Sequence, residues 1–158
     1  MSYLACVEIP ANTNTKYEMD PKSGRLFVDR FQPTPMEYPE NYGYLEGVKS
    51  GDGDLADVFV LSNQAIHPGA WIKIKIIGMI DTEDEKGHDP KLLCVAENET
   101  IDRTCGKWND ITDIPQERVD RLIHFLQHHK ELEPGKWVKV LGLKNKQETV
   151  EYLQGLSQ

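Results

Sequence analysis

The sequence is poor in the features that tie a protein to a membrane, to nucleic acid or to an oxidising compartment. It has three cysteines in 158 residues without C-x-x-C spacing, and no apolar run approaches the ~20 residues of a membrane span. Its 18 lysines and arginines are outnumbered by 26 aspartates and glutamates, which gives a net charge of -8. Such a charge disfavours anionic partners held by charge alone. We predict reduced structural cysteines, no nucleic-acid partner and no membrane partner.

The length and the N-terminal segment set the domain count and the location that we expect. A chain of 158 residues fits one domain, and no linker or low-complexity segment divides it. We therefore predict a single domain over residues 1–158. The first residues lack a basic region followed by a long apolar stretch, so no secretory signal is recognised and we expect a cytoplasmic protein.

Short strand-like runs recur along the chain between glycine, proline and asparagine residues. The clearest has Ile72, Ile74 and Ile76 alternating with Lys73 and Lys75, which indicates one buried and one solvated face. Several short strands of this kind favour a closed barrel or a sandwich. The predicted strands are Tyr3–Ile9, Arg25–Asp29, Asp57–Leu61, Trp71–Ile80, Leu92–Ala96 and Lys136–Leu141.

Two helices are predicted near the C-terminus. Asp113 is a candidate N-cap, Pro115 fits the first turn, and apolar residues follow at helical spacing from Val119 to Leu126. Asn145 with Glu148 repeats the capping-box spacing and marks a shorter second helix.

The segment Asp52-Gly-Asp-Leu-Ala-Asp57 places three carboxylates within six residues before a predicted strand. Hard divalent cations prefer such oxygen ligands. An EF-hand is excluded, because position 6 would be Asp57 instead of glycine and position 12 would be Asn63 instead of glutamate. For this motif alone, an acidic turn without a ligand is the simpler interpretation.

A second acidic cluster covers residues 81–89, after the isoleucine-rich strand. Taken alone, it reads as a solvated loop. Two such clusters on loops of one small barrel can converge, however, and converging aspartates repel one another unless cations bridge them. The pair therefore points to more than one metal ion.

Basic and phenolic residues are distributed among the acidic segments. Each one alone is most simply a surface charge or a packed ring. Together they offer what a phosphate group requires: guanidinium for paired contacts, ammonium for charge, and a hydroxyl for a neutral hydrogen bond. The residues are Lys16, Arg30, Lys91, Lys130, Tyr38 and Tyr42.

Ordered segments along almost the whole chain are similar to the family I soluble inorganic pyrophosphatases of bacteria. The resemblance implies an α+β fold with a five-stranded OB-like closed barrel, on which a long helix and a short C-terminal helix pack. It also implies Mg²⁺-dependent hydrolysis of pyrophosphate to phosphate, with Mn²⁺ or Zn²⁺ as substitute ions, and a homo-oligomer, commonly a hexamer with the long helix in its interface. The matching segments are Val7–Asn12, Lys16–Glu18, Leu26–Arg30, Tyr38–Tyr44, Asp52–Asp57, Asp84–Lys91 and Gly135–Val140.

The same resemblance implies roles for individual residues, carried over where the motifs match. Metal ligands are implied at Asp52, Asp57, Asp84 and Asp89, and a general base at Asp54. A second carboxylate shell is implied at Glu8, Glu18 and Glu85, with Tyr38 as a supporting tyrosine. Phosphate contacts are implied at Lys16, Arg30, Tyr42, Lys91 and Lys130, and the position of His129 adjoins them.

Two positions depart from the family pattern. His129 stands where the family usually has tyrosine before Lys130. A neutral imidazole can donate to phosphate, but it is shorter than phenol and ordinarily titrates near neutral pH, so we expect weaker or more pH-sensitive binding. Leu55 replaces the usual proline of the Asp-Gly-Asp-Pro loop, which predicts a less preorganised loop.

Other functions stay open at this point. The chain could be a pyrophosphatase relative with impaired catalysis, an OB-like module that binds an anion, or a structural oligomer subunit. A nucleic-acid-binding module is disfavoured, because such modules use a basic groove with exposed aromatic rings, whereas the distinctive loops here are acidic.

Overall fold

The computed structural model describes residues 2–156, and over this range the chain is mainly β with two α-helices. Helix α1 is Gln116–His128, helix α2 is Lys146–Leu156, and a 3₁₀ turn covers Ile111–Asp113. Within the described range the strands are β1 Tyr3–Ile9, β2 Thr15–Asp20, β3 Arg25–Phe31, β4 Asn41–Lys49, β5 Leu55–Val60, β6 Trp71–Asp84, β7 Gly87–His88, β8 Lys91–Ala96 and β9 Val138–Asn145.

The main sheet follows the order β1-β4-β5-β8-β6, and β6 also pairs with β1. The pairings therefore pass through five strands and return to the first. Only β5 and β8 are parallel among these five pairings. β7 and β9 pair with β6, whereas β2 and β3 form a separate two-stranded sheet.

Both faces of the main sheet are buried. Val58 and Val60 belong to one apolar cluster, whereas Phe59 between them belongs to another. Side chains alternate between the faces of a strand, so the two clusters lie on opposite faces. Helix α1 packs on the Phe59 face through Leu122 and Phe125, which brings the end of the helix close to β4 and β5.

The predicted strand Tyr3–Ile9 is confirmed with the same bounds as β1, and the other five predicted strands are found with changed ends. Strands β2, β4 and β7 were not predicted. None of the predicted strands covers residues 37–44, yet β4 begins at Asn41. Glycine is depleted in strands, so residue propensities do not predict β4, which contains Gly43 and Gly47. Gly43 is required by the pairing with β1, because a Cβ atom there would lie 1.8 Å from the Cys6 carbonyl oxygen.

Both helices are confirmed, but the predicted cap of the first is wrong. Asp113 belongs to the 3₁₀ turn and accepts hydrogen bonds from the backbone of Asn109 and Asp110, at 2.8 and 3.1 Å. The cap of α2 is confirmed by reciprocal bonds of 2.9 and 3.1 Å between Asn145 and Glu148. No helix in residues 2–156 is long and apolar enough to cross a membrane.

All three cysteines are free and buried, as predicted. Cys6 lies in β1 and Cys94 in β8, while Cys105 lies in a turn next to the Arg118 guanidinium. Burial raises the pKa of each of the three thiols, which keeps them protonated and unreactive.

Candidate functional site

One cavity of about 460 Å³ collects most of the charged residues that the sequence indicated. It lies where β1, β2, β4, the starts of β5 and β8, the end of β6 and the end of α1 meet. The predicted residues in its lining are Glu8, Lys16, Glu18, Tyr38, Tyr42, Asp52, Asp54, Asp57, Asp84, Asp89, Lys91, His129 and Lys130.

Two predicted residues are not part of this lining. Glu85 is exposed at the tip of the β6–β7 hairpin. The guanidinium of Arg30 is occupied by two carboxylates, with Nε 2.8 Å from Asp29 Oδ2 and Nη1 bonded to Glu133. Asp29 also holds Lys16, at 3.3 Å. Arg30 is therefore engaged beside the cavity in this structure.

The loop before β5 is ordered by its own hydrogen bonds. Asp52 Oδ1 accepts from Ser50 Oγ at 2.7 Å and from the Asp54 backbone N–H at 2.9 Å. The Ser50 N–H donates to the Asp54 carbonyl, at 2.9 Å, and Gly53 supplies the required φ of +87°. The hydrogen bonds that the Asp52 carboxylate accepts, first the one from the Ser50 hydroxyl and then the one from the Asp54 N–H, lower the pKa of Asp52. These bonds close the loop, and Leu55, which stands in the place of the usual proline, begins β5. Lower preorganisation of the loop stays a prediction.

Lys91 is the central cation of the cavity, with a side chain that is 12% exposed. Its Nζ lies 2.9 Å from Asp57 Oδ2, from Asp89 Oδ2 and from the Tyr42 hydroxyl. Burial opposes its charge, but Tyr42 and the two aspartates outweigh burial and hold the pKa of Lys91 well above its ordinary value. Burial also raises the pKa of Tyr42, so the hydroxyl stays protonated.

Three carboxylates of the cavity lining are buried or half-buried. Asp84, which is 8% exposed, lies 3.6 Å from the Lys130 ammonium. Glu8 accepts a hydrogen bond of 2.7 Å from the Met19 backbone. Burial raises the pKa of Glu8 to about 7. Burial likewise raises the pKa of Asp89, although Lys91 opposes this change.

His129 is oriented by the backbone of α1. Its Nδ1 is 3.0 Å from the Phe125 carbonyl oxygen, and its ring stacks on the Phe125 ring at 4.5 Å and 16°. Tyr38 packs on the same phenyl ring, at 4.6 Å. Burial lowers the pKa of His129 from 6.5 to about 4, so titration near neutral pH, which we expected from its residue type, is wrong.

This shift predicts that wild-type protein loses stability in acid through His129. Between about pH 6.5 and 4 the His129 imidazole is protonated in the unfolded chain but neutral in the folded chain. The free energy of unfolding therefore falls as the pH falls. At about pH 5 the loss amounts to about 2 kcal/mol. Urea denaturation in metal-free buffer measures this effect. The free energy of unfolding of His129→Phe, relative to that of wild type, should rise by about 2 kcal/mol when the pH is lowered from about 7.5 to about 5. An equal difference at both pH values would contradict the shift; His67→Phe, at an exposed site, is the matched control.

Sequence reasoning missed several residues in and beside the cavity. Lys86 and His88 line the cavity, and His88 Nε2 is paired with Asp81. All three lie within the acidic segment 81–89, which the sequence indicates as a whole without a signal for these particular side chains. Glu133 gave no signal, because it meets Arg30 across a separation of 103 residues.

The donor set suits divalent cations. Within residues 2–156 the lining contains seven carboxylates and four lysines, an excess of three acidic groups. Oxygen ligands of this type favour hard cations. No three metal-ligating side chains of the described range converge around one point; Asp57, Asp84 and Asp89 are instead paired with lysines. The chemistry of the lining therefore fits bound cations, which would compete with Lys91 and Lys130 for these oxygens.

The fold and the cavity together indicate a class of protein. It is a mainly β protein whose carboxylates and lysines suit a phosphate-bearing anion that is bound together with divalent cations. The family profile described as inorganic pyrophosphatase matches residues 5–158. The chain belongs to the inorganic pyrophosphatase family, as its sequence segments indicated.

Individual relatives agree with this assignment. The inorganic pyrophosphatase of Sulfolobus acidocaldarius is 43% identical over 136 residues, which are 86% of this chain and 78% of that protein. The solved inorganic pyrophosphatase of Helicobacter pylori superposes with a TM-score of 0.93 at 38% identity, over 98% of this chain and 91% of that one. The Thermus thermophilus structure gives 0.91 at 32% identity, over 98% and 88%.

Proposed function

We propose that this chain hydrolyses pyrophosphate to two orthophosphates, with Mg²⁺ as the cofactor and Mn²⁺ or Zn²⁺ as substitutes. The observation that carries this proposal is the assembly of seven carboxylates and four lysines in one cavity of a chain with the pyrophosphatase fold. Lysines alone would meet the substrate's charge only in part, because the carboxylates outnumber them. Divalent cations reverse that balance.

We assign the cations to Asp52, Asp57, Asp84 and Asp89, whose side chains come from the two acidic segments 52–57 and 81–89. Bound cations would make water a stronger nucleophile at neutral pH and neutralise phosphate charge. Glu8 and Glu18 also line the cavity and would support these ligands through the second carboxylate shell. Glu85 keeps this role only as an expectation from the family, since it is exposed.

Asp54 is our candidate general base, which would take a proton from the attacking water. Its backbone N–H donates to Asp52 and its carbonyl accepts from the Ser50 N–H, and the residue lines the cavity. A carboxylate in this position can remove the proton as the water attacks phosphorus in line with the leaving phosphate.

The phosphate groups are assigned to Lys16, Arg30, Lys91, Lys130 and Tyr42. Three of these already occupy the cavity with ammonium groups, and Tyr42 offers a protonated hydroxyl. Arg30 would first have to exchange its carboxylate partners for substrate oxygens. Preorganised donors of this kind stabilise charge that develops in the transition state.

The circuit of five paired strands supports a closed OB-like barrel, which is the finer form of the fold that we expect. We also propose a homo-oligomer, a hexamer by family resemblance with α1 in its interface. Phe27, Val28 and Phe31 of β3 support association, because they are 52%, 54% and 73% exposed.

The test is release of phosphate from Mg²⁺-pyrophosphate by the purified protein, with and without a chelator. We expect turnover that requires the metal. Binding of Mg²⁺ without turnover would instead favour an impaired relative or an anion-binding module. Replacement of all four assigned aspartates by asparagine without a metal-dependent effect would favour a structural subunit.

A further inference from the structure

His129 lines the cavity, and one nitrogen of its imidazole can only accept a hydrogen bond. A carbonyl oxygen has no proton to give, so Nδ1 must carry the proton in the 3.0 Å bond to the Phe125 carbonyl. A neutral imidazole has a proton on one nitrogen only. Nε2 therefore carries a lone pair, and the low pKa of His129 keeps it that way near neutral pH.

The surroundings of this ring are those of an anion site. The Lys130 and Lys91 ammonium groups act on the ring, and both disfavour its protonated form. The same two lysines belong to the set that we assign to phosphate. Stacking on Phe125, and the Tyr38 ring at 6.5 Å, leave little freedom for the imidazole to turn over. Because His129, Lys91 and Lys130 line the same cavity, we assign the lone pair of Nε2 to the part where phosphate oxygens are expected.

An acceptor nitrogen that lies among ammonium groups can distinguish an oxyanion that carries a proton from one that does not. An unprotonated oxygen offers Nε2 only its own lone pairs, whereas a P–OH group can donate to it. Hydrolysis supplies such a group, because P₂O₇⁴⁻ and one H₂O give two HPO₄²⁻, with one water proton on each product. Sulfate has the same shape and charge but no proton to donate at neutral pH.

We propose that His129 Nε2 accepts a hydrogen bond from the P–OH group of the product monohydrogen phosphate, and that it makes the cavity select phosphate over sulfate. The inference rests on the proposed function for the location of the product. It reverses the expectation that His129 donates to phosphate. A tyrosine, which the family usually carries here, can donate as well as accept and would not discriminate in this way.

The experiment is calorimetric titration of the Mg²⁺-loaded protein with inorganic phosphate and with sulfate at one near-neutral pH. The quantity of interest is the ratio of the sulfate Kd to the phosphate Kd. His129→Phe keeps a ring against Phe125 but removes the lone pair, so the ratio should fall about tenfold, mainly through weaker phosphate binding. His67→Phe, at an exposed loop position, should leave the ratio as in wild type.

His129→Tyr is the second variant, in case phenylalanine disturbs folding. Its hydroxyl can donate to sulfate, so the ratio should fall through tighter sulfate binding. A wild-type ratio in both His129 variants, or an equal fall in His67→Phe, overturns the proposal. Turnover is measured separately. If the wild-type protein hydrolyses pyrophosphate but both His129 variants keep the wild-type ratio, this inference alone is refuted. If the ratio falls in the variants but the wild-type protein does not hydrolyse pyrophosphate, the inference is supported and the proposed function alone is refuted.

Discussion

Asp54→Asn is expected to lower kcat for pyrophosphate by about 10²–10⁴-fold, the range that a positioned general base contributes. Asparagine has nearly the same shape, so the backbone bonds that link Asp54 to Ser50 and Asp52 should persist. The loss would then reflect the missing proton acceptor. Steady-state kinetics at saturating Mg²⁺ measure it directly.

The Mg²⁺ concentration for half-maximal activity separates a base from a metal ligand. Loss of a base lowers kcat with little change in the metal requirement, whereas Asp57→Asn should raise that requirement. Glu99→Gln is the matched control, since it removes one carboxylate from an exposed loop outside the cavity lining. Near-wild-type turnover of Asp54→Asn would remove Asp54 from the base role.

Lys91→Met is expected to lower kcat/KM by about 10²–10³-fold, the cost of removing one preorganised donor to a developing oxyanion. The ammonium touches Tyr42, Asp57 and Asp89 at 2.9 Å each. Methionine retains much of the apolar stem but none of the charge. Steady-state kinetics of Lys91→Met test this, and Lys73→Met, at an exposed site of β6, is the control.

The same substitution should have an unusual effect on stability. Without Lys91, the carboxylates of Asp57 and Asp89 lose their cation, so the metal-free variant should unfold at a lower denaturant concentration than wild type. Added Mg²⁺ should then stabilise the variant more than it stabilises wild type, because it no longer competes with the ammonium. Equal Mg²⁺ stabilisation of both proteins would contradict the view that lysine and metal share these oxygens.

The acidic loops could be predicted because their chemistry lies in short segments. Carboxylates at 52–57 and 84–89 are close in sequence, so residue type and spacing were enough to indicate them. The position of Arg30 could not be predicted, because its partner Glu133 is brought to it by the fold. The same holds for the tautomer of His129, which depends on a carbonyl of α1.

The errors in the fold have a similar origin. Strand β4 contains two glycines, and it is a strand because β1 and β5 pair with it on either side. The cap of α1 was assigned to Asp113 on spacing alone, yet the side chain serves the preceding 3₁₀ turn. By contrast, the cap at Asn145 was predicted correctly, since its partner Glu148 lies only three residues away.

A net charge of -8 first suggested that this chain avoids anionic partners. The cavity qualifies this: much of the acidity lies in the two segments 52–57 and 81–89, which can bind cations, and these cations would bind the anion. The most direct test is calorimetric binding of a non-hydrolysable pyrophosphate analogue with saturating Mg²⁺ and with a chelator. We predict binding that weakens on the order of 100-fold or more without the metal. Equal affinity in the chelator would contradict the account.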